Sequence, residues 1–174
     1  DFELVISDNA STDGTEAICR DYAARDRRVR YVRQERNRGP YPNFAFVLKE
    51  AAGEFFMWAA ADDSWSPGYV AVCLEQLRRH PRAIAATTRC QFGSSACTYA
   101  GDRTSDSAFA LIRRAHFLWD PGPCAVLHSL FRAQVIKRLR IEEYGFNAGD
   151  WAIVFDLLEY GNFVVDREYL GFAK

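Results

Sequence analysis

The chain has 174 residues, 49% of them hydrophobic and 26% charged, with a formal net charge of −1. That length supports one domain with a real core, since a domain of this size buries about 70% of its unfolded-chain surface. The near-zero charge gives no basic field for nucleic acid. No apolar run reaches the roughly 20 residues of a membrane span, and no signal-peptide pattern occurs.

Five cysteines, Cys19, Cys73, Cys90, Cys97 and Cys124, make an odd set without a CxxC pair. A reduced intracellular setting is the expectation, with a Cys90–Cys97 clip as the alternative.

In chain order, Phe2–Ile6 is a nearly continuous apolar run, as in a strand buried on both faces. It runs into Ser7-Asp8-Asn9, in a turn rich in side chains that bond to backbone. Asp13 and Glu16 have capping-box spacing, and Ile18, Cys19, Tyr22 and Ala23 share one side of the following helix. Val29–Arg33 is a second strand, and Glu35–Pro40 a turn. A helix with Phe44, Val47, Leu48 and Ala51 on one face follows, with Gly53 as its stop.

Phe55–Ala61 is then an unbroken apolar run, expected as a buried strand, ending in Asp62-Asp63. Pro67 suits a first helical position, and the buried face of that helix is expected to be Val70, Ala71, Leu74 and Leu77. Ala83–Thr88 reads as a strand and Gln91–Ser107 as a long polar loop. Beyond it lie a short helix over Phe109–Leu118, a turn over residues 119–123, a strand over Cys124–Phe131 and a short helix over Ala133–Leu139. A helix over Asp150–Tyr160 and a last strand over Phe163–Val165 complete the order.

This alternation predicts an α/β layer with a largely parallel sheet. Ligands of such sheets bind beyond the carboxyl ends of the strands, where Asp8 and Asp62-Asp63 stand. Paired carboxylates suit Mg²⁺ or Mn²⁺, which take one or two carboxylates and fill their shell with water and substrate phosphates. Two solvated acids near a helix start explain the same residues equally well. Asp8 could accept hydrogen bonds from a base or ribose, with capping of its own turn slightly favoured on local grounds. Asp150 reads locally as an N-cap and, as the other option, a general base. His128, in an apolar strand, reads as a satisfied core histidine. No HxxxH, GxSxG, P-loop or GxGxxG pattern occurs, which disfavours nucleophilic hydrolases, P-loop enzymes and dinucleotide oxidoreductases.

Taken together, FELVISDNASTDGT at Phe2–Thr15, ERNRGPYPNFAFVLKEAAGEFFMW at Glu35–Trp58 and ADDSWSPGYV at Ala61–Val70 resemble the nucleotide-sugar glycosyltransferases of family 2. SLFRAQVIKRL at Ser129–Leu139 and AGDWAIVFDLLEYGNF at Ala148–Phe163 extend the likeness over nearly the whole chain. The resemblance implies an α/β GT-A fold, a Rossmann-like three-layer sandwich with a mostly parallel central sheet. It implies one domain over residues 1–174, nucleotide-binding to about residue 90 and acceptor-side beyond. The family's first strand is absent, so an N-terminally truncated domain is expected. Ala60 stands where many relatives carry an acid, and Gly149 rather than Glu precedes Asp150.

The resemblance further implies roles. Asp8, Asn9, Asn37, Asn43 and Asp62 would contact the nucleotide, Asp63 with Asp62 would hold Mn²⁺ or Mg²⁺, and Asp150 would be the base of an inverting transfer. The implied partners are a nucleotide-sugar donor, a UDP-sugar first, and a saccharide or lipid-linked acceptor. The implied setting is cytoplasmic, with peripheral association at the inner face of a bacterial membrane and a part in polysaccharide synthesis. A sugar-nucleotide nucleotidyltransferase and a non-catalytic GT-A-like module are the alternatives.

Overall fold

The structure is a computed structural model that describes residues 1–91, 98–99, 107–119 and 124–173. The Cys90–Cys97 clip, most of the expected polar loop and most of the turn over residues 119–123 lie outside the described residues. Two compact units are present: Asp1–Glu54 with Arg140–Asn147, and Phe55–Leu139 with Ala148–Lys174.

In the first unit, strand β1 (Leu4–Asp8), helix α1 (Thr15–Arg25), strand β2 (Val29–Arg33) and helix α2 (Pro40–Glu50) follow one another. β1 and β2 pair in parallel, from Leu4 opposite Val29 to Asp8 opposite Arg33. Gly39, with φ of 85°, makes the left-handed step into α2, a conformation glycine adopts without a Cβ clash. Leu48 is the buried residue of α2, which packs against a 3-10 helix, Ile141–Tyr144, whose Ile141 is also buried. Glu3 ties the end of α2 to the start of β1 by accepting the Ala52 and Gly53 N–H groups. The Asp13–Glu16 capping box does not form. Asp13 accepts the Thr15 N–H, while Gly14 is the N-cap and caps with no side chain. Nor is the α1 face expected from periodicity buried, as Ile18 and Tyr22 are 60% and 59% exposed.

The second unit contains strands β3 (Phe55–Phe56), β4 (Ser64–Trp65), β5 (Ala85–Gln91), β6 (Thr98–Tyr99), β7 (Leu130–Arg132) and β8 (Phe163–Ala173). Its helices are α3 (Tyr69–Arg79), α4 (Ala110–Trp119), α5 (Ala133–Ile136) and α6 (Gly149–Leu157), with a 3-10 helix over Cys124–His128. The strand order is β3-β7-β5-β8-β4, with β6 on the far end of β5. β5 and β8 are parallel, while the β3–β7, β5–β7, β4–β8 and β5–β6 pairs are antiparallel. The α/β class therefore holds, but this sheet is mixed rather than mostly parallel. Only β5 and β8 are linked in the parallel sense, and short returning strands fill the remaining positions.

Several expected boundaries move. β3 stops at Phe56, because β7 offers it only Phe131 and Arg132 as partners. The expected strand over Cys124–Phe131 is a 3-10 helix followed by a three-residue strand. β8 runs to Ala173, following β5 past register shifts on either side of Arg89. The buried face of α3 is Tyr69, Cys73 and Leu77, with Val70 exposed. The helix begins two residues after Pro67, with Gly68 as N-cap, and Tyr69 anchors it by donating its hydroxyl to the His128 carbonyl. Cys19 and Cys73 are free thiols, and burial pushes Cys73 up to about 12.

The core of this unit runs through Phe56, Trp58, Phe131 and Phe163, whose rings meet edge to face at centroid distances of 4.9, 6.2 and 5.9 Å. Such pairs add about 0.5–1.5 kcal/mol each beyond area burial. From α6 the expected Ile153, Val154, Leu157 and Leu158 are all fully buried. Arg113 is buried as well. Its guanidinium donates to the carbonyls of Ser107, Leu158 and Glu159, satisfying the C-terminal end of α6.

Gly161 sits where a Cβ would lie 2.5 Å from Ile84 Cγ2 and 3.1 Å from the Arg82 carbonyl. Gly161→Ala is therefore expected to cost about 1–3 kcal/mol in urea unfolding, through overpacking. Gly145→Ala, in open space, should change stability by less than about 0.5 kcal/mol. Equal effects at the two positions would refute this reading of the Gly161 contact.

Candidate functional site

In the first unit four of the expected residues gather at the C-terminal end of β1. Asp8 is buried. Its Oδ1 accepts the Ser11 N–H at 2.8 Å, and its Oδ2 accepts the Tyr31 hydroxyl at 2.6 Å. Arg33 Nε stands 3.8 Å from Oδ2 and also reaches Glu16 at 3.1 Å. Burial alone pushes the Asp8 carboxyl up. The Ser11 and Tyr31 hydrogen bonds and the Arg33 charge outweigh it and hold the carboxyl below its usual 3.8. Tyr31 is pushed up to about 12 by desolvation and by the Asp8 carboxylate that its hydroxyl serves.

Asn9 donates through Nδ2 to Asn37 Oδ1 and to the Gly39 carbonyl, and accepts the Arg38 N–H. Asn37 also accepts the Gly39 N–H. Asn43, in the first turn of α2, pairs with Ser7 through both its amide nitrogen and its oxygen. These asparagines brace the β1 turn against the segment leading into α2. Ala10, two residues past Asp8, takes the left-handed conformation at φ 64°.

In the second unit Asp62 is exposed while the Asp63 side chain is wholly buried. Neither Asp63 carboxylate oxygen meets a hydrogen-bond donor. His128 Nε2 lies 3.9 Å from Oδ2. His128 Nδ1 lies 3.1 Å from the Trp58 carbonyl, in the stretch where β3 has already ended. The Trp65 ring meets Tyr69 edge to face at 4.8 Å and lies 5.9 Å from the His128 ring, so packing accounts for it. The 3-10 helix that carries His128 packs against α6, whose first turn holds Asp150.

Asp150 is half-buried and is not the N-cap expected from sequence. Ala148, at φ 65° and ψ 24°, holds that position, and Asp150 Oδ1 accepts the Trp151 N–H at 3.0 Å. An acid there still complements the positive end of the helix. Trp151 beside it is 42% exposed.

Among the described residues no three His, Cys, Asp or Glu side chains gather into a metal cluster. Asp63 nevertheless fits a divalent cation. A buried carboxylate without donors is costly unless a positive charge meets it. An ion that fills its shell with water and substrate oxygens needs few protein ligands.

Sequence reasoning missed Tyr31, Arg33 and His128. The first two carry a signal, since parallel pairing of VRYVR beside the strand ending in Asp8 sets Arg33 opposite that acid. His128 carries none, because nothing local brings it to Asp63, 65 positions earlier by numbering.

The Asp8 cluster has a pH signature at both ends. Because its carboxyl is held below 3.8, the stability Asp8 contributes is complete above that value and is lost as pH falls through the lower folded value. Tyr31 is raised, so its contribution is complete below 10 and is lost as pH rises through about 12. Urea unfolding across pH is expected to show a shallower acid slope in Asp8→Asn and a shallower alkaline slope in Tyr31→Phe. Slopes identical to the parent chain would remove the cluster's electrostatic role.

The glycosyl transferase family 2 profile matches residues 1–139. Uncharacterized protein Rv1520 of Mycobacterium tuberculosis is 38% identical over 81 residues, which cover 45% of this chain and 23% of that protein. TuaG of Bacillus subtilis, a putative teichuronic acid biosynthesis glycosyltransferase, is 30% identical over 86 residues, 49% of this chain and 34% of TuaG. The fold matches S. aureus TarS 1–349 in complex with UDP at a TM-score of 0.77 and 19% identity, over 99% of this chain and 51% of that one. It also matches the mannosyltransferase PcManGT of Pyrobaculum calidifontis, in complex with GDP-Man and Mn²⁺, at a TM-score of 0.65 and 17% identity, over 99% and 47%. The chain thus spans about half the length of these solved relatives. It has the GT-A fold and belongs to glycosyl transferase family 2.

Proposed function

We propose that this chain carries the donor-handling and base-bearing part of a metal-assisted inverting glycosyltransferase that uses a UDP-sugar. We further propose one catalytic domain, nucleotide-binding over about residues 1–90 and acceptor-side over 91–174. The observation that carries the reading is the Asp63 carboxylate, buried with neither oxygen met by a donor. Family membership and the UDP complex of TarS support it.

Each residue then has a task. Asp8, braced by Ser11 and Tyr31, accepts a hydrogen bond from the base. Asn9, Asn37 and Asn43 hold the turn that presents it. Asp63 holds the cation, with exposed Asp62 at the ribose and diphosphate. When bound, Mg²⁺ or Mn²⁺ supplies Lewis-acid neutralisation of the charge on the departing diphosphate. Asp150 takes the proton of the acceptor hydroxyl as that oxygen attacks the anomeric carbon. The bond to the diphosphate breaks on the opposite face, so the configuration inverts.

The acceptor is a saccharide or lipid-linked saccharide of a cell-surface polymer, a reading supported by the biosynthetic role in TuaG's name. The setting is the cytoplasmic face of a bacterial membrane with peripheral association. Among the described residues no helix is long and apolar enough to cross a membrane.

Calorimetry with the full-length protein is expected to show UDP binding that depends on Mn²⁺. Asp63→Asn should weaken it at least about tenfold, the size of lesser disturbances to metal sites. Asp150→Asn should keep UDP binding while transfer falls about 10²–10⁴-fold. UDP binding untouched by Asp63→Asn would sink the cation assignment, and full transfer in Asp150→Asn would place the base elsewhere.

A further inference from the structure

We propose that His128 is a second protein ligand of the Asp63 cation, binding through Nε2, and that its nitrogen makes the site prefer a transition ion over Mg²⁺. This rests on the reading of Asp63 given above.

The imidazole is oriented from behind. Nδ1 lies 3.1 Å from the Trp58 carbonyl, which can only accept, so Nδ1 carries the hydrogen and donates it. In the neutral ring this leaves the lone pair on Nε2, the atom nearest the Asp63 carboxylate. A histidine whose other nitrogen donates to a backbone carbonyl is the usual arrangement of a metal ligand, with tautomer and ring direction fixed in advance.

The backbone beneath the ring is fixed too. Tyr69 donates its hydroxyl to the His128 carbonyl at 2.9 Å, and Ser129 next to it is fully buried with its hydroxyl on the Val126 carbonyl at 2.7 Å. The Trp65 ring lies tilted beside the imidazole at a centroid distance of 5.9 Å.

The spacing supplies the second argument. Nε2 and Oδ2 are 3.9 Å apart, too far for a hydrogen bond, which needs about 3.2 Å or less. Two metal–ligand bonds of about 2.1 Å each span that gap. Asp63 brings an anion whose two oxygens have no donor, and its side chain is completely buried. A cation placed between this oxygen and this nitrogen resolves the orphaned carboxylate.

The choice of ion follows from the donor set. Mg²⁺ wants hard oxygen ligands and gains little from imidazole, whereas first-row transition ions accept nitrogen readily. Residues with oxygen alone would leave the ion to availability. With His128 included, Mn²⁺ and Co²⁺ bind in preference to Mg²⁺.

The test uses the full-length protein with UDP and Mn²⁺, read by electron spin-echo modulation, which detects a ¹⁴N nucleus bonded directly to Mn²⁺. The expected result is a ¹⁴N signal in the parent chain that changes on ¹⁵N-histidine labelling and is absent in His128→Asn. Asparagine keeps an amide to serve the Trp58 carbonyl but does not reach the ion. Mn²⁺ affinity in His128→Asn should fall at least about tenfold, with Mg²⁺ affinity changing less. Mn²⁺ bound through Asp63 with no ¹⁴N signal, or with a signal that survives His128→Asn, overturns the His128 assignment and leaves the Asp63 reading standing. No Mn²⁺ retained with UDP overturns both. Should the variant not fold, ¹⁵N-histidine labelling of the parent chain still distinguishes a histidine-bound ion from one held by oxygen alone.

Discussion

A carboxylate taken out of water must be met by donors or by a cation, and this chain contains both outcomes. Asp8 is met by a backbone N–H, a phenol and a guanidinium. Its charge is stable as it stands and helps hold β1, β2 and the following turn together. Asp63 is met by nothing but a distant imidazole. The contrast separates an acid held by donors of its own fold from one whose two oxygens have none. Much of the second unit serves that arrangement. Tyr69 anchors α3 to the 3-10 helix, and α6 packs on the same helix from another direction.

A second constraint is the shortness of the strands around Asp63. β3 gives two residues to the sheet and β4 gives two more, with Met57–Asp63 between them outside any ladder. Backbone groups freed in this way must find other partners. The Trp58 carbonyl takes the His128 ring and the Ala60 carbonyl takes the Asp63 N–H. In this irregular stretch the two adjacent acids differ, Asp62 exposed and the Asp63 side chain buried.

The sequence made parts of this legible. β2 falls at the expected residues, because a five-residue alternation flanked by polar turns has no competing reading. The apolar face of α6 was plain, since its four aliphatic residues have no alternative burial. The buried face of α3 departs from the expected one because the residues beside Leu77 are a tyrosine and a cysteine, whose polar atoms hide their role. Tyr69 is buried because its hydroxyl finds both Thr87 and the His128 carbonyl. β3 was overextended because seven apolar residues read as one strand, and only the length of the partner strand limits it. Asp62-Asp63 stood out as a pair, but which of the two is buried depends on the turn. The contribution of His128 is tertiary and has no local trace.

Ala10 and Ala148 share a feature that glycine would normally supply. Both take the left-handed backbone conformation, and each lies two residues from an acid given a role here, Asp8 and Asp150. A non-glycine residue in that region costs about 1–3 kcal/mol and persists only where its surroundings impose it. Substituting glycine would ease the joint and raise the backbone entropy of the unfolded chain at the same time. The methyl groups therefore narrow the range of turn geometries open to each acid.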